Sequence, residues 1–533
     1  MSSLPRRVWP EDDAASATNP EPPPADDLEA GPAGTGKIVV RTSKNMIFLS
    51  VSFLSQIVSQ ILIISIIGRL AGVESAGIWV YVIAFTDPFQ VLMDFGTTWL
   101  LVPEIARRRE ESDLLLGNAL TLSTLLGIPV LAVLAIVANL DFLHHSQTTI
   151  VGLCLGGVAM LFFSLAQSIR SAFRAFNRFD LEAINSVLVA VALVGGCFGV
   201  LFLQASFTSL FAILILIRLI ALLNSCILYN RHLGRIRFRY NPAILRQILA
   251  KSWVFMFSVL FLRAYMRIDI LILRYFHGEV AVGYYGLVTA LFYRLDIITR
   301  LLMTSILPTM SRTYATQRGH IGRYLNQAVK VQILAVLPIT VGGFILARPI
   351  IFLLYGSGYE PSVVFFQLLV AVMPLRFIIR TFTVTLTAMD LQRRVLVALA
   401  LSVAFNIAAN LFLIPQFTAL GATLTSMASE VVLFVLTYFS LTAAVRQSIR
   451  WGTFARPLPT VLILAPLLYL IRDWSLLLSL PLSAVIYGLA LFLVRAFSVA
   501  EVQTLSSLLE SARVLPLPLR RRLAALMLAH AHG

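Results

Sequence analysis

Two weak copies of one pattern, about 205 to 210 residues apart, run through a chain made almost wholly of long apolar segments. In the first copy Gly72, Gly77, Pro103 and Arg107 punctuate the second apolar segment. In the second copy Gly278, Gly283, Pro308 and Arg312 punctuate the eighth. Arg170, with Asp180 and Leu181 after it, recurs as Arg380 with Asp390 and Leu391 at the same internal spacing. A duplication of this length confines the fold to two related bundles of about six helices. Repeated bundles are an architecture of membrane transporters, whose halves rock about a central site.

Composition agrees. Of the 533 residues 58% are hydrophobic and 13% charged, and the mean hydropathy is +0.86. A soluble domain carries about 25% charge. The deficit is spread over runs of roughly twenty residues, enough to cross a bilayer as a helix. The reading is an all-α polytopic membrane protein of about 14 transmembrane helices: two repeated six-helix bundles plus two C-terminal helices.

Residues 1–43, rich in Pro, Ala and acids, read as a disordered cytoplasmic N-terminal tail. No apolar core follows Arg6 and Arg7, so this tail is not a secretory signal. The first six-helix bundle is set at 44–229, a cytoplasmic inter-bundle linker at 230–251 and the second bundle at 252–445. Two extra spans occupy 446–497, and 498–533, with Arg520, Arg521 and Arg522, reads as a cytoplasmic amphipathic tail on the anionic inner leaflet.

The net charge of +16 raises nucleic acid as a partner, but the distribution excludes it. Eighteen Arg residues, from Arg107 to Arg456, follow the even-numbered spans, against four, Arg69, Arg274, Arg348 and Arg472, at the opposite ends. That asymmetry is the positive-inside pattern and puts both termini in the cytoplasm. No phosphate-cradling loop, zinc-ligand spacing or aromatic-basic stacking module is legible. Cys154, Cys197 and Cys226 lie inside apolar spans and read as free thiols. The external loops, none longer than about fifteen residues, are too short for the outer domain a membrane glycosyltransferase or ligase needs. No acid-base or nucleophilic constellation points to an enzyme.

The exceptions inside the spans carry the information. An Arg at mid-span costs roughly 2.5–3.5 kcal/mol on insertion scales. Arg263, Arg267, Arg294, Arg376 and Arg380 lie near mid-depth, with Arg218 a sixth candidate. Arg263, Arg267 and Arg274 share a helical face, and Arg376 and Arg380 are four apart. Like charges at that spacing repel. Cationic stripes without acids make physical sense if an anion visits them, and the planar fork of Arg suits phosphate; the alternative is that these arginines are permanently paired with membrane acids. Asp269 lies off the Arg263 face, whereas Asp296 and Arg300, four apart, are placed to pair. Asp87 and Asp94, with Gln90 on the same face beside Pro88, can couple transport to protons or Na⁺ or serve as counter-ions. Glu430 stands in the same position in the twelfth span. No cofactor is expected beyond such a coupling ion.

Particular stretches carry a resemblance. Ala76-Gly77-Ile78-Trp79-Val80-Tyr81, leading to Asp94-Phe95-Gly96 and Glu104-Ile105-Ala106-Arg107, resembles the first bundle of the oligosaccharide (O-antigen type) flippases. Val282-Gly283-Tyr284-Tyr285-Gly286, leading to Leu307-Pro308 and Ser311-Arg312, resembles their second. Asn406-Ile407, Asn410 through Pro415, Leu420-Gly421-Ala422-Thr423 and Ser429-Glu430 look like their C-terminal signature. The superfamily also holds lipid II flippases and multidrug and toxin extrusion carriers. The lipid II branch's charged first span has no counterpart here, since no charge separates Lys44 from Arg69.

The resemblance implies a bacterial inner-membrane flippase. It would move undecaprenyl-diphosphate-linked oligosaccharide from the cytoplasmic to the periplasmic leaflet by alternating access, for lipopolysaccharide or exopolysaccharide assembly. The diphosphate would lie on the cationic residues named above. Membrane lipids, a polysaccharide polymerase and glycosyltransferases are the implied partners, and a monomer is the expected state. An ion-coupled multidrug exporter or a lipid II flippase of the same fold is the alternative, and the exporter predicts acids in place of arginines.

Overall fold

The computed structural model describes residues 32–141 and 144–494. The C-terminal tail expected at 498–533 and most of the N-terminal tail lie outside the described residues. Within them all regular structure is helical. The bilayer leaves this chemistry little choice, because every backbone N–H and C=O at membrane depth must be paired within the segment.

The helices are α1 (Pro32–Leu70), α2 (Gly72–Asp94), α3 (Thr97–Arg107), α4 (Ser112–Ala138), α5 (Gln147–Ala175), α6 (Phe179–Phe202), α7 (Ser209–His232) and α8 (Pro242–Thr316). They continue as α9 (Ile321–Ile345), α10 (Ala347–Tyr355), α11 (Glu360–Ala371), α12 (Met373–Ala388) and α13 (Gln392–Ser440). Then come α14 (Ala443–Gln447), α15 (Trp451–Ala455), α16 (Thr460–Leu470) and α17 (Leu476–Leu493). Pro32 opens α1 where a missing N–H costs nothing, so the last part of the expected N-terminal tail is helical.

Among the described residues eight helices are long and apolar enough to span a membrane, or nine with α11 and α12, bent by 40° at Val372, taken as one. Two further elements are double. Gly278 (φ 77°) breaks α8 into two limbs, and Thr418 (φ 54°), three residues after Pro415, does the same to α13. The shorter apolar helices α16 and α17 complete a count compatible with about fourteen spans.

The chain forms two compact units. Among the described residues, the first takes 82–267 together with those before Gly72; the second takes 72–81 and those from Ile268 on. Each is held by its own core. In the first, Leu101 and Ile105 of α3, Leu116 of α4, Phe173 of α5 and Tyr229 of α7 pack with Ile244 and Ile248 of the first limb of α8. In the second, Leu325 and Val329 of α9, Phe382 and Leu386 of α12 and Leu464 and Leu468 of α16 form the corresponding cluster. Small polar contacts stitch apolar helices together, such as Ser52 Oγ to Ser186 Oγ at 2.7 Å.

The repeated glycines have two separate jobs. Gly72 (φ 82°) and Gly278 (φ 77°) are needed for backbone conformation, since nothing lies within 4 Å of where a Cβ would stand. Gly77 and Gly283 are needed for space. In the second unit a Cβ on Gly77 would meet the Glu279 carbonyl oxygen at 1.8 Å, and one on Gly283 the Val73 carbonyl oxygen at 2.2 Å. The first turns of α2 and the second limb of α8 therefore cross backbone to backbone.

Candidate functional site

Charges are the costliest residues in apolar segments, and where they go defines the site. In the first unit α2 and the first limb of α8 bring Asp87 to Arg263. Arg263 Nη1 donates to both carboxylate oxygens, at 3.0 and 2.8 Å. Arg267, one turn on, holds Nε 3.8 Å from the same carboxylate. Two guanidinium groups share one acid.

Asp94 serves the backbone instead. The chain turns between α2 and α3 through Phe95 (φ 51°) and Gly96 (φ 74°). Asp94 Oδ1 accepts from the Gly96 N–H at 2.5 Å, an Asx-type turn, and Oδ2 accepts from Thr98 Oγ1 at 3.0 Å and Gln90 Nε2 at 3.4 Å.

The second unit builds a denser cluster. Asp296 on the second limb of α8 lies 3.1 Å from Arg376 Nε, 3.0 Å from Arg380 Nη2 and 3.5 Å from Arg300 Nη2. Arg376 Nη1 also donates to Glu430 on α13. Its guanidinium stands 5.4 and 5.0 Å from the ring centres of Phe292 and Tyr293. Three guanidinium groups face two carboxylates. Arg294 is half-buried on the same limb, two residues before Asp296.

The expected stripes without acids are corrected here. Arg263, Arg267, Arg376 and Arg380 each meet a carboxylate supplied by another helix. Helical spacing sees only neighbours on one element, so Asp296 with Arg300 was the one pair within its reach. Arg274 leaves the stripe altogether: it pairs with Glu279 at 2.7 Å and lies over the Tyr81 ring. Asp269, off the stripe as its position required, is buried and accepts a hydrogen bond from the Tyr285 hydroxyl, which also lies 2.9 Å from Ser426 Oγ. Nothing in the spacing pointed to Tyr285. Arg218 joins neither cluster and stands on α7 with its guanidinium 4.3 Å above the Phe163 ring. Among the described residues no group of three His, Cys, Asp or Glu is placed to hold a metal ion.

Comparison with known proteins fits this architecture. The family described as "Polysaccharide biosynthesis protein" matches residues 42–314. A structure of the lipid II flippase MurJ in an inward closed conformation gives a TM-score of 0.68 at 15% identity, covering 84% of this chain and 98% of that one. An inward-facing multidrug resistance MATE family transporter of the MOP superfamily gives 0.58 at 13% identity, covering 75% and 98%. A Vibrio cholerae MATE transporter gives 0.56 at 15% identity, covering 78% and 98%. At these identities the likeness is one of fold. No curated protein sequence matches.

Proposed function

The chain belongs to the polysaccharide biosynthesis protein family, and from that premise we propose that it is a flippase for undecaprenyl-diphosphate-linked oligosaccharide. It carries this lipid from the cytoplasmic to the periplasmic leaflet of a bacterial inner membrane by alternating access, as a monomer with both termini in the cytoplasm. Polysaccharide polymerase and glycosyltransferases act after and before it.

One observation carries the reading: Arg263 and Arg267 share the single carboxylate of Asp87, and Arg376, Arg380 and the exposed Arg300 all share Asp296, with Glu430 as a second acid. A permanently neutral pair needs no surplus. A surplus cation held beside acids can trade a carboxylate for a phosphate, because the desolvation of the guanidinium has already been incurred in folding. The phosphate offers the same bidentate geometry and more charge. Arg263 and Arg267 of the first unit receive a phosphate group in this way, and so, taken by themselves, do Arg376 and Arg380 of the second, with Arg294 in support.

Displacement frees an acid, and a freed acid can take a cation. Asp87 and Glu430 are the first candidates to couple the cycle to a proton or Na⁺ gradient, and Asp269 and Asp94 the next. The two access states must lie within a few kcal/mol for both to be visited. A drug exporter would present its acids to an organic cation, and here Asp87 and Glu430 are engaged by arginines.

The test is leaflet-resolved movement of the lipid-linked oligosaccharide in proteoliposomes, with and without an imposed proton or Na⁺ gradient. The Arg376→Lys/Arg380→Lys double variant keeps positive charge beside Asp296 and Glu430 and removes the bidentate fork; it is expected to insert and accumulate normally and to move the lipid far more slowly than wild type. Wild-type movement by that variant, or exchange of organic cations for protons in place of lipid movement, sinks the proposal.

A further inference from the structure

We propose that the first unit holds a separate phosphoryl-anion site made by Arg170, Arg218 and Phe163. Arg170 on α5 is 8% exposed, and its buried Nε has no hydrogen-bond partner. Arg218 on α7 is half-buried, and its Nε is also buried without a partner. Both guanidinium groups lie against one ring, 5.5 and 4.3 Å from the centre of Phe163. Among the described residues neither has a carboxylate within 4.0 Å. The acid nearest in the cluster, Glu182, is 3.7 Å from Arg174 Nε, and Arg174 still leaves a buried Nη2 without a partner. Three cations thus face one acid.

The duplication shows that this is no general feature of the fold. Arg380, the repeat counterpart of Arg170, is neutralised by Asp296, in a cluster where Glu430 adds a second acid. Carried back by the repeat spacing, those acids fall on Gln90 and Ile220. The second repeat holds its arginines in ion pairs with protein carboxylates, whereas in the first Arg170 and Arg218 make no ion pair, and Glu182, the acid beside Arg170, is paired with Arg174. A ring face compensates a cation only in part. Two like charges against one ring repel each other until an anion joins them. Two planar forks with open donors suit the tetrahedral oxygens of a phosphoryl group. Its source is either the diphosphate of a prenyl carrier or the phosphodiester of an anionic lipid.

The site goes beyond the transport reading and does not depend on it, because it is a matter of binding alone. The experiment uses the full chain in nanodiscs of phosphatidylcholine, with inorganic pyrophosphate as the titrated probe. The Arg170→Gln/Arg218→Gln variant is expected to lose on the order of tenfold or more in affinity, the scale set by removing charge-assisted contacts. Its melting temperature should be unchanged or higher, since a buried unpaired charge is removed, whereas a purely structural role predicts a fall. Arg218→Lys should restore part of the affinity. Wild-type pyrophosphate affinity in the double variant overturns the site.

A second measurement needs no variant. Pyrophosphate should protect Arg218 of the wild-type protein from phenylglyoxal, read by mass spectrometry, and equal labelling with and without it also overturns the site. Farnesyl diphosphate competing for that protection assigns the site to a prenyl carrier. Loss of pyrophosphate binding in phosphatidylglycerol nanodiscs assigns it to bulk lipid. Competition by neither overturns the proposal. All of these readings stand whether or not the protein moves lipid.

Discussion

The two units place arginine in the same apolar setting and treat it differently. In the second, Arg376, Arg380 and Arg300 converge on Asp296, with Glu430 closing the cluster from α13. In the first, Arg263 and Arg267 share the ion pair to Asp87, and Arg170 and Arg218 lie against one ring without an ion pair. One copy of an ancestral bundle spends carboxylates to hold its cations still, and the other leaves its cations underfilled. Removing an acid from each unit tests how deep that contrast runs.

The largest effect is expected at Asp296. Its side chain is 4% exposed in its ion pairs, and Asp296→Asn would leave half-buried Arg376 and Arg380, and exposed Arg300, without it, with Glu430 remaining to Arg376. Breaking a buried pair from one side costs about 3–5 kcal/mol, so the variant should melt well below wild type in detergent or fail to accumulate. Asp87→Asn should cost less, about 1–2 kcal/mol, because Arg263 is 37% exposed and water can take over part of the carboxylate's role. If Asp87→Asn proves the more damaging, the proposed contrast between the units is reversed. The smallest effect belongs to Arg348 and Glu360, 3.3 Å apart with side chains 65% and 54% exposed. Arg348→Ala should shift stability by no more than about 0–1 kcal/mol, and less at high salt.

The spans, their doubling and the charge asymmetry were legible because each is local: hydropathy, a recurring glycine or proline, a run of arginines after a helix. The intramembrane charges were legible as exceptions for the same reason. Their partners were not. Asp87 lies 176 residues from Arg263 in the chain, and Arg376 lies 80 from Asp296 and 54 from Glu430, so no periodicity could join them. Asp94 shares a helical face with Asp87, but its bond to the Gly96 N–H, two residues on, belongs to the turn between α2 and α3, which that periodicity does not show. Arg170 was visible as half of a repeat, but its want of an acid could be seen only once Arg380 was found with one.

The crossing of Gly77 and Gly283 has a consequence of its own. The two residues occupy the same position in the two halves of the sequence, so the contact is a surface meeting its own copy. In an assembly of separate subunits such a contact would be isologous, the kind a two-fold dimer makes. Here the two sides of that contact belong to one chain, so a side chain added at either glycine would push against the backbone of the other copy's segment.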